Sequence, residues 1–543
     1  MMNGLMMHCN LNITSIMQHA LMVSAHQEIV TLKSDGVTKH RYTYKDAFAR
    51  VAQFANVMAQ LNVSDHAKVA TMAWNTYQHF ELHYAIPCTG RIYHTVNPKL
   101  AAEQIAHIIC NAQDEMLLLE PDCIEVIESI YEEIKHVVRY FVVLGDVNPD
   151  LSAKFNFMFY EDLIQNQPQQ YDWPEIHEDR ASGLCYTSGT TGNPKGVLYS
   201  HRSTVLHALV LSMSDVVGLS HQSCMMPLVP LYHISAWGMP FNAVLCGAKL
   251  VWPNAFAGKI DKIFELVQSE KVDISIAVPT VWTAYKNYLH EHHISHTFLK
   301  RAISGGSAAP YALIEAMQNY GVALENGWGM TETSALATCN RLNQIKEKPE
   351  TQSIKCGKPI FGFQMRLKGP NGELLPHDGK HEGVLEVKGH SITYQYINAK
   401  DNIGKAHTEQ QNQWFDTGDI ACIDEYGYMH ITDRAKDMIK SGGEWISSVE
   451  VENAAMGYDK VVEAAVIAAN HPKWGERPLL ILVPKSSKET IKHEEIVIYL
   501  SSKLHKWAIP SATILVDEIP HTATGKISKK TLREQYQDYF MHS

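Results

Sequence analysis

The stretch that decides the reading is Tyr186-Thr187-Ser188-Gly189-Thr190-Thr191-Gly192-Asn193-Pro194-Lys195-Gly196-Val197. It follows the short apolar run Gly183-Leu184-Cys185 and precedes Val205 to Leu211, which reads as a buried helix. Glycines let successive backbone N–H groups turn toward one concave side, making a nest for anions. The Ser and Thr hydroxyls add donors and one ligand for Mg²⁺, and Lys195 adds charge. Such a turn suits a triphosphate. It is not the Walker loop, because Lys195 follows Pro194 and precedes Gly196 where that loop needs Lys before Ser or Thr. A plain surface turn would account for three or four of these residues, not for the whole string.

Outward from this stretch, the chain has 543 residues, too many for one core, so at least two domains are expected. Apolar residues make up 45% and charged ones 19%, as in an ordinary globular protein. No run of about 18 apolar residues occurs, so no spanning helix is expected and any membrane contact would be peripheral. The start, Met1 to Asn12, lacks a basic region ahead of an apolar one and does not read as a secretory signal. Ten cysteines without CxxC pairs point to reduced thiols and a cytoplasmic protein. A net charge of −11 disfavours nucleic acid as a partner, so an anionic substrate must be held by local donors. None of the 29 histidines stands in a recognisable metal-ligand spacing.

Strand and helix patterns alternate to about residue 340. Helices are expected over Tyr44 to Met58, Ala101 to Ala112, Ile260 to Ser269 and Val281 to Tyr288. Strands are expected over Lys68 to Trp74, Val137 to Leu144, Ser223 to Leu231, Lys249 to Trp252 and Ile274 to Val278. That alternation argues for parallel βαβ layers. Residues 355–432 read as mainly β, with turns at Asn371-Gly372, Asp378-Gly379 and Glu425-Tyr426-Gly427. After about 436 the pattern restarts as a compact α+β unit.

Four further segments carry chemistry. In Gly327-Trp328-Gly329-Met330-Thr331-Glu332-Thr333 the glycines let a base approach an aromatic face, Thr331 can contact phosphate, and Glu332 can hold Mg²⁺. In Trp414-Phe415-Asp416-Thr417-Gly418-Asp419 the carboxylate of Asp419 can accept both hydroxyls of a ribose. Asp433 to Ile446 is charged and lies where the chain enters its last unit. Near the end stands Pro520-His521-Thr522-Ala523-Thr524-Gly525-Lys526. Each segment has a plain reading as turn, core or linker; together they do not.

These motifs, in this order, resemble those of the acyl-adenylate-forming (AMP-binding) enzymes, and nearly the whole chain shares the resemblance. Pro230 to Pro240, His94 to Leu100, Val278 to Trp282 and Ser441 to Ser448 resemble the medium- and long-chain fatty acyl-CoA synthetases in particular. The resemblance implies an α/β fold: a large N-terminal lobe of layered βαβ subdomains plus a β-rich subdomain, and a small mobile α+β C-terminal domain. The division implied is 1–432 for the ATP- and acyl-binding domain, 433–440 for the hinge and 441–543 for the lid domain.

It implies ATP, Mg²⁺ and coenzyme A as the small molecules used with a carboxylic acid, and roles for residues. Thr187, Ser188, Gly189, Thr190, Thr191, Gly192 and Lys195 would wrap the phosphates, with Thr187 and Glu332 on the metal. Gly306 and Ser307 in Ser304-Gly305-Gly306-Ser307 would contact adenine beside Gly327, Trp328, Gly329 and Thr331. Asp419 and Arg434 would hold the ribose, Lys436 would be the pivot, and Lys440 and Trp445 would lie toward CoA. Lys526 would bridge the acid and the α-phosphate, His233 would stand at the substrate, and Trp237 would gate the acyl tunnel. A homodimer through the N-terminal region is also implied.

Leu228 to Gly238 holds no acidic residue, so an amino-acid substrate is disfavoured: a buried, unpaired ammonium costs several kcal/mol. Fatty acids are the first expectation. A short acid such as 3-(methylthio)propionate is the second, because some relatives with this tryptophan segment use it. A non-catalytic ligand-binding relative is the third, and the presence of Lys526 and Glu332 argues against it.

Overall fold

The structure is a computed structural model that describes residue 2 and residues 4–145, 156–187, 194–342, 349–397, 413–441, 444–486, 490–521 and 527–541, with the backbone alone at 349–350 and 444–445. Two large sheets carry the N-terminal part. In the seven-stranded sheet, Lys68–Met72 lies between Ile92–Thr95 and Asp114–Leu119, with parallel strands outward on both sides. Ala181–Tyr186 pairs parallel with Ile92–Thr95, and Gly196–Ser200 closes that edge antiparallel. Residues 187–195, expected from sequence to wrap phosphates, thus join the two strands of an edge hairpin.

The nine-stranded sheet is built round parallel strands Cys224–Pro227, Lys249–Trp252, Ile274–Ala277, Arg301–Ser304 and Ala323–Met330. The expected strands and helices in these regions are present within a few residues of their expected ends. Glu28–Leu32 joins parallel to Lys249–Trp252, although more than 200 residues separate them in sequence. Two elements escape a periodicity reading. Ile13–Val23 forms an N-terminal helix capped by Asn12, whose side chain accepts the Ser15 N–H. Tyr77–Cys88 is buried at every position, polar residues included, so it shows no amphipathic stripe.

The large apolar core lies between the two sheets and includes Phe54, Tyr84, Phe241, Trp237 and Trp252. Burying Glu81 in it requires partners: Arg50 Nε at 2.7 Å and the Tyr160 hydroxyl at 2.8 Å. Phe363–Lys368, Gly383–Gly389, Phe415–Ile423 and Met429–Arg434 form the four-stranded antiparallel sheet anticipated as the β-rich portion. The last part is α+β, as expected. Long strands Val461–His471 and Gly475–Pro484 pair antiparallel, Ala512–Leu515 adds in parallel, and Ser448–Met456 and His493–Ser501 pack on them. Where the two parts meet, buried Asp433 accepts the Ser448 Oγ–H at 2.8 Å, and Lys529 donates to that same hydroxyl at 2.6 Å.

All ten cysteines are free thiols. Among the described residues no helix is long and apolar enough to cross a membrane.

Candidate active site

The neck of the phosphate stretch is a reciprocal pair. Thr187 N–H donates to the Lys195 carbonyl at 2.9 Å, and Lys195 N–H donates to Thr187 Oγ1 at 3.2 Å. Ser188, Gly189, Thr190, Thr191 and Gly192 lie outside the described residues. Lys195 is exposed, with its ammonium 5.0 Å from the centre of the Tyr396 ring.

Glu332 sits on the short 3-10 turn Thr331–Thr333, reached directly from strand Ala323–Met330. The strand turns back on itself because Ser334 and Ala335 take positive φ (58° and 89°), an uncommon conformation outside glycine. Gly329 makes the reversal possible: a Cβ there would stand 1.6 Å from the Ala335 carbonyl oxygen. Thr333 Oγ1 accepts the Met330 N–H at 2.9 Å, and the Thr331 carbonyl accepts the Tyr199 hydroxyl at 2.7 Å. The Glu332 side chain is buried, and one of its oxygens takes the Tyr396 hydroxyl at 2.6 Å.

Trp328 Nε1–H donates to Asp419 Oδ2 at 2.9 Å, and Arg434 Nε reaches Asp419 Oδ1 at 3.1 Å. Asp419 and Arg434 face each other across adjacent strands, so this grouping is a consequence of register. Gly418, at φ 71°, lets the strand bend just before Asp419. Gly306 has φ 87°, and it and Ser307 are exposed on the loop after Arg301–Ser304. The loop is tied to the Trp328 strand by Asn326, whose Oδ1 accepts the Ala309 N–H at 2.8 Å. No Cβ at Gly305 would meet anything within 4 Å, so this face is open to a ligand.

Lys436 is exposed on the turn after Arg434. Partial desolvation lowers its ammonium from the usual lysine range; Asp437 opposes this, Arg434 and Arg533 reinforce it, and Asp419 opposes it again. Lys440 stands on Ile439–Ser441 in register with Trp445, of which only the backbone is described. Gly442, Gly443 and Lys526 lie outside the described residues. On either side of the undescribed residues, His521 and Ile527 form an antiparallel bridge, and His521 Nε2 meets Glu463 Oε1 at 2.7 Å.

His233 caps helix Ile234–Cys246, accepting the Ser235 N–H at Nδ1, a placement that fixes the helix start. One turn on, Trp237 is 4% exposed, with ring centroids of Tyr199 at 5.3 Å, Tyr93 at 5.4 Å and His83 at 6.0 Å. Its indole fills the space a side chain at Gly183 would take, since a Cβ there would lie 2.3 Å from the ring. Through Tyr199, the tryptophan is one contact from the Thr331 backbone.

The structure therefore joins Thr187, Lys195, Thr331 and Glu332 through Tyr396 and Tyr199, and Trp328, Asp419 and Arg434 through direct bonds. Sequence reasoning missed Asn326, Tyr199 and Tyr396. Asn326 could have been suspected from its place just before Gly327; the two tyrosines carry no local signal. Among the described residues no group of three or more His, Cys, Asp or Glu could hold a metal. The buried Glu332 carboxylate, one oxygen of which takes the Tyr396 hydroxyl, is a group that could ligate Mg²⁺.

A family profile described as AMP-binding enzyme matches residues 23–397, and one described as AMP-binding enzyme C-terminal domain matches residues 450–526. A medium-chain-fatty-acid–CoA ligase of Ectopseudomonas oleovorans is 39% identical, covering 100% of this chain and 99% of its own. A 3-methylmercaptopropionyl-CoA ligase of Ruegeria lacuscaerulensis is 38% identical over 99% of each chain. A long-chain-fatty-acid–CoA ligase of Thermus thermophilus is 39% identical over 98% of this chain and 97% of its own. Among solved structures, an anthranilate CoA ligase with anthranoyl-AMP superposes with a TM-score of 0.85 at 24% identity, covering 97% of this chain and 98% of that one.

Proposed function

The chain belongs to the AMP-binding enzyme family, and from that premise we propose which acid it activates and which of its residues do so. It is an AMP-forming acid–CoA ligase. We assign it a medium- or long-chain fatty acid, ATP with Mg²⁺, and coenzyme A.

In the first half-reaction a carboxylate oxygen attacks the α-phosphorus of ATP; the bond to pyrophosphate breaks and acyl-AMP forms. In the second, the CoA thiol attacks the acyl carbon, loses its proton, and AMP leaves. Glu332 and Thr187 would hold Mg²⁺, which supplies positive charge to the phosphate oxygens when bound. Residues 188–192 and Lys195 wrap the outer phosphates, and Thr331 contacts phosphate. Trp328 offers its ring face to the base between Gly327 and Gly329, with Gly306 and Ser307 on its other side. Asp419 and Arg434 hold the ribose. His233 and Trp237 face the acid, and Lys526 meets the charge that develops at the α-phosphorus. The protein does little covalent work, so its rate comes from positioning and electrostatics. We place the division at 433–440, with turning about Lys436 withdrawing Lys526 and bringing Lys440 and Trp445 toward CoA.

One observation carries the nucleotide reading: the Trp328–Asp419–Arg434 grouping and the Glu332–Tyr396–Lys195 grouping lie at the two ends of one strand–turn segment. The second substrate reading, 3-(methylthio)propionate, draws support from Trp237, whose buried ring occupies the space beside Gly183 and would shorten an acyl path there. ATP–pyrophosphate exchange measured across straight-chain acids from propionate to palmitate, with 3-(methylthio)propionate included, separates the two. Exchange rising with chain length supports the fatty acid; exchange confined to the sulfur acid replaces it. No exchange with any acid defeats both.

We also propose a cytoplasmic location, in keeping with ten free thiols, and a homodimer. Leu21, Met22 and Val23 at the end of the first helix are 38%, 78% and 58% exposed, apolar surface suited to a second copy.

A further inference from the structure

Between the phosphate stretch and the Glu332 turn runs a segment that neither motif contains. Thr393 N–H donates to the Glu332 carbonyl at 2.8 Å, and Ile397 N–H donates to the Gly196 carbonyl at 2.9 Å. The fit at its far end is close: a Cβ on Gly196 would stand 2.5 Å from Ile397 Cγ2. A short strap thus ties the strand leaving the phosphate stretch to the turn that bears the buried carboxylate.

From the middle of that strap Tyr396 reaches both functional groups. Its hydroxyl donates to Glu332 Oε1 at 2.6 Å, and its ring centre lies 5.0 Å from the Lys195 ammonium. Among the described residues, Glu332 Oε2 receives no hydrogen bond.

We propose that Tyr396 is the positioning residue that couples the phosphate stretch to the metal-bearing carboxylate. The hydroxyl fixes one oxygen of Glu332 so that the other faces the ion, and the ring face keeps the Lys195 ammonium beside the phosphates. The inference rests on the roles given above to Glu332 and Lys195. Losing a partner that orients a ligating carboxylate typically weakens metal binding about 10- to 100-fold. A hydrogen bond to an ionised acceptor is of the stronger kind. An ammonium over an aromatic face is held without losing its charge, so it stays available to an anion.

The two contacts separate by mutation. Tyr396→Phe keeps the ring and removes the hydroxyl; Tyr396→Leu removes both. The readouts are calorimetric titration with ATP in EDTA, and binding of Mn²⁺ as a paramagnetic probe in the presence of ATP. Tyr396→Phe should weaken Mn²⁺ binding about 10-fold and leave metal-free ATP binding unchanged. Tyr396→Leu should weaken both, metal-free ATP by about 3-fold. In a double-mutant cycle, Tyr396→Phe should add nothing on a Glu332→Gln background.

Wild-type Mn²⁺ affinity in Tyr396→Phe, or an equal loss of metal-free ATP binding in Tyr396→Phe and Tyr396→Leu, would overturn the proposal. Additive effects in the cycle would do the same, and the cycle compares variants of matched melting temperature so that misfolding cannot imitate coupling. Failure of the unmutated chain to bind ATP with Mn²⁺ would instead strike the nucleotide reading itself.

Discussion

Trp328 hands its indole N–H to Asp419 across 91 residues of chain, at 2.9 Å. Arg434 takes the other carboxylate oxygen at 3.1 Å, so Asp419 is fixed from two sides before any ligand arrives. The carboxylate is 3% exposed, and a bare charge at that depth would be costly. The same indole is thus proposed to serve twice, with its face toward a base and its edge on the residue proposed to hold the sugar.

Trp328→Phe isolates the second role, since it keeps an aromatic face and removes the donor. Losing one hydrogen bond to a charged group costs about 1.5–3 kcal/mol, so KM for ATP should rise at least about 10-fold. The acid KM should stay where it is. An ATP KM equal to that of the unmutated chain would show that the indole N–H contributes nothing to the nucleotide site.

Two glycines of the same site make opposite predictions. A Cβ at Gly329 would collide with the Ala335 carbonyl at 1.6 Å, and backbone cannot move aside as a side-chain tip can. Gly329→Ala should cost about 3 kcal/mol or more, visible as a lower unfolding midpoint with activity lost. At Gly305 a Cβ would meet nothing within 4 Å. Gly305→Ala should leave the unfolding midpoint unchanged and raise KM for ATP, because a methyl group there points only at the space assigned to adenine. Equal melting of the two variants would contradict this account of the turn.

The residues that could be read from sequence are those whose chemistry is written locally. Gly327 to Thr333 and Trp414 to Asp419 are contiguous, and the glycines in them announce a backbone that approaches something. Asp419 beside Arg434 follows once two short strands are recognised. What stayed hidden is set by distant pairing. Glu28–Leu32 lies beside Lys249–Trp252 because of the sheet's order, which no local periodicity encodes. Tyr77–Cys88 hides because burial on all faces erases the stripe that marks a helix. Tyr396 sits in a segment without regular structure, and its importance comes from what stands on either side of it.

Trp237 owes its position to the missing side chain at Gly183, 2.3 Å from where a Cβ would be. Gly183→Ala should push the indole toward Tyr199 and Tyr93, which already enclose it. If the ring gates the acyl path, the profile of acids used should shift in chain length while KM for ATP changes less than about 2-fold, within the spread expected of a site not touched. A profile unchanged in shape, with all acids slowed alike, would remove Trp237 from substrate selection.

Acid should loosen the fold through buried histidines. Burial holds His79, His201 and His207 at about 4, below the ordinary 6.5. His201 Nδ1 also accepts the Ile13 N–H at 3.2 Å, a bond that protonation removes. A group whose folded value is depressed is neutral in the fold and takes up protons on unfolding. Its contribution is complete above pH 6.5 and is lost as pH falls toward 4. Charging each such histidine costs the fold about 3 kcal/mol by the time pH has fallen below 4, relative to neutral pH. Melting temperature followed from pH 7.5 to 4.5 should therefore fall most steeply below 6.5, with the N-terminal helix released early. A flat profile across that window would mean these imidazoles are not buried in the neutral form.

The proposed swing of the last domain predicts a separation that single-step catalysis cannot produce. Lys526 is assigned to the first half-reaction only, so Lys526→Ala should abolish acid-dependent ATP–pyrophosphate exchange yet still convert supplied acyl-AMP to acyl-CoA. Lys436 is assigned to the turning itself. It follows a strand end held by Ala435 N–H on the Gly418 carbonyl at 3.0 Å and precedes a residue, Asp437, that binds Arg533 at 2.6 Å. One side of the turn is thus anchored to each part. Fixing φ between two anchored residues should stop the rotation without touching either pocket. Lys436→Pro should leave exchange intact and slow thioester formation, measured as CoA-dependent consumption of pre-formed acyl-AMP, by at least 10-fold (about 1.4 kcal/mol of barrier). Equal loss of both half-reactions in either variant would mean that one arrangement of the chain carries out both steps.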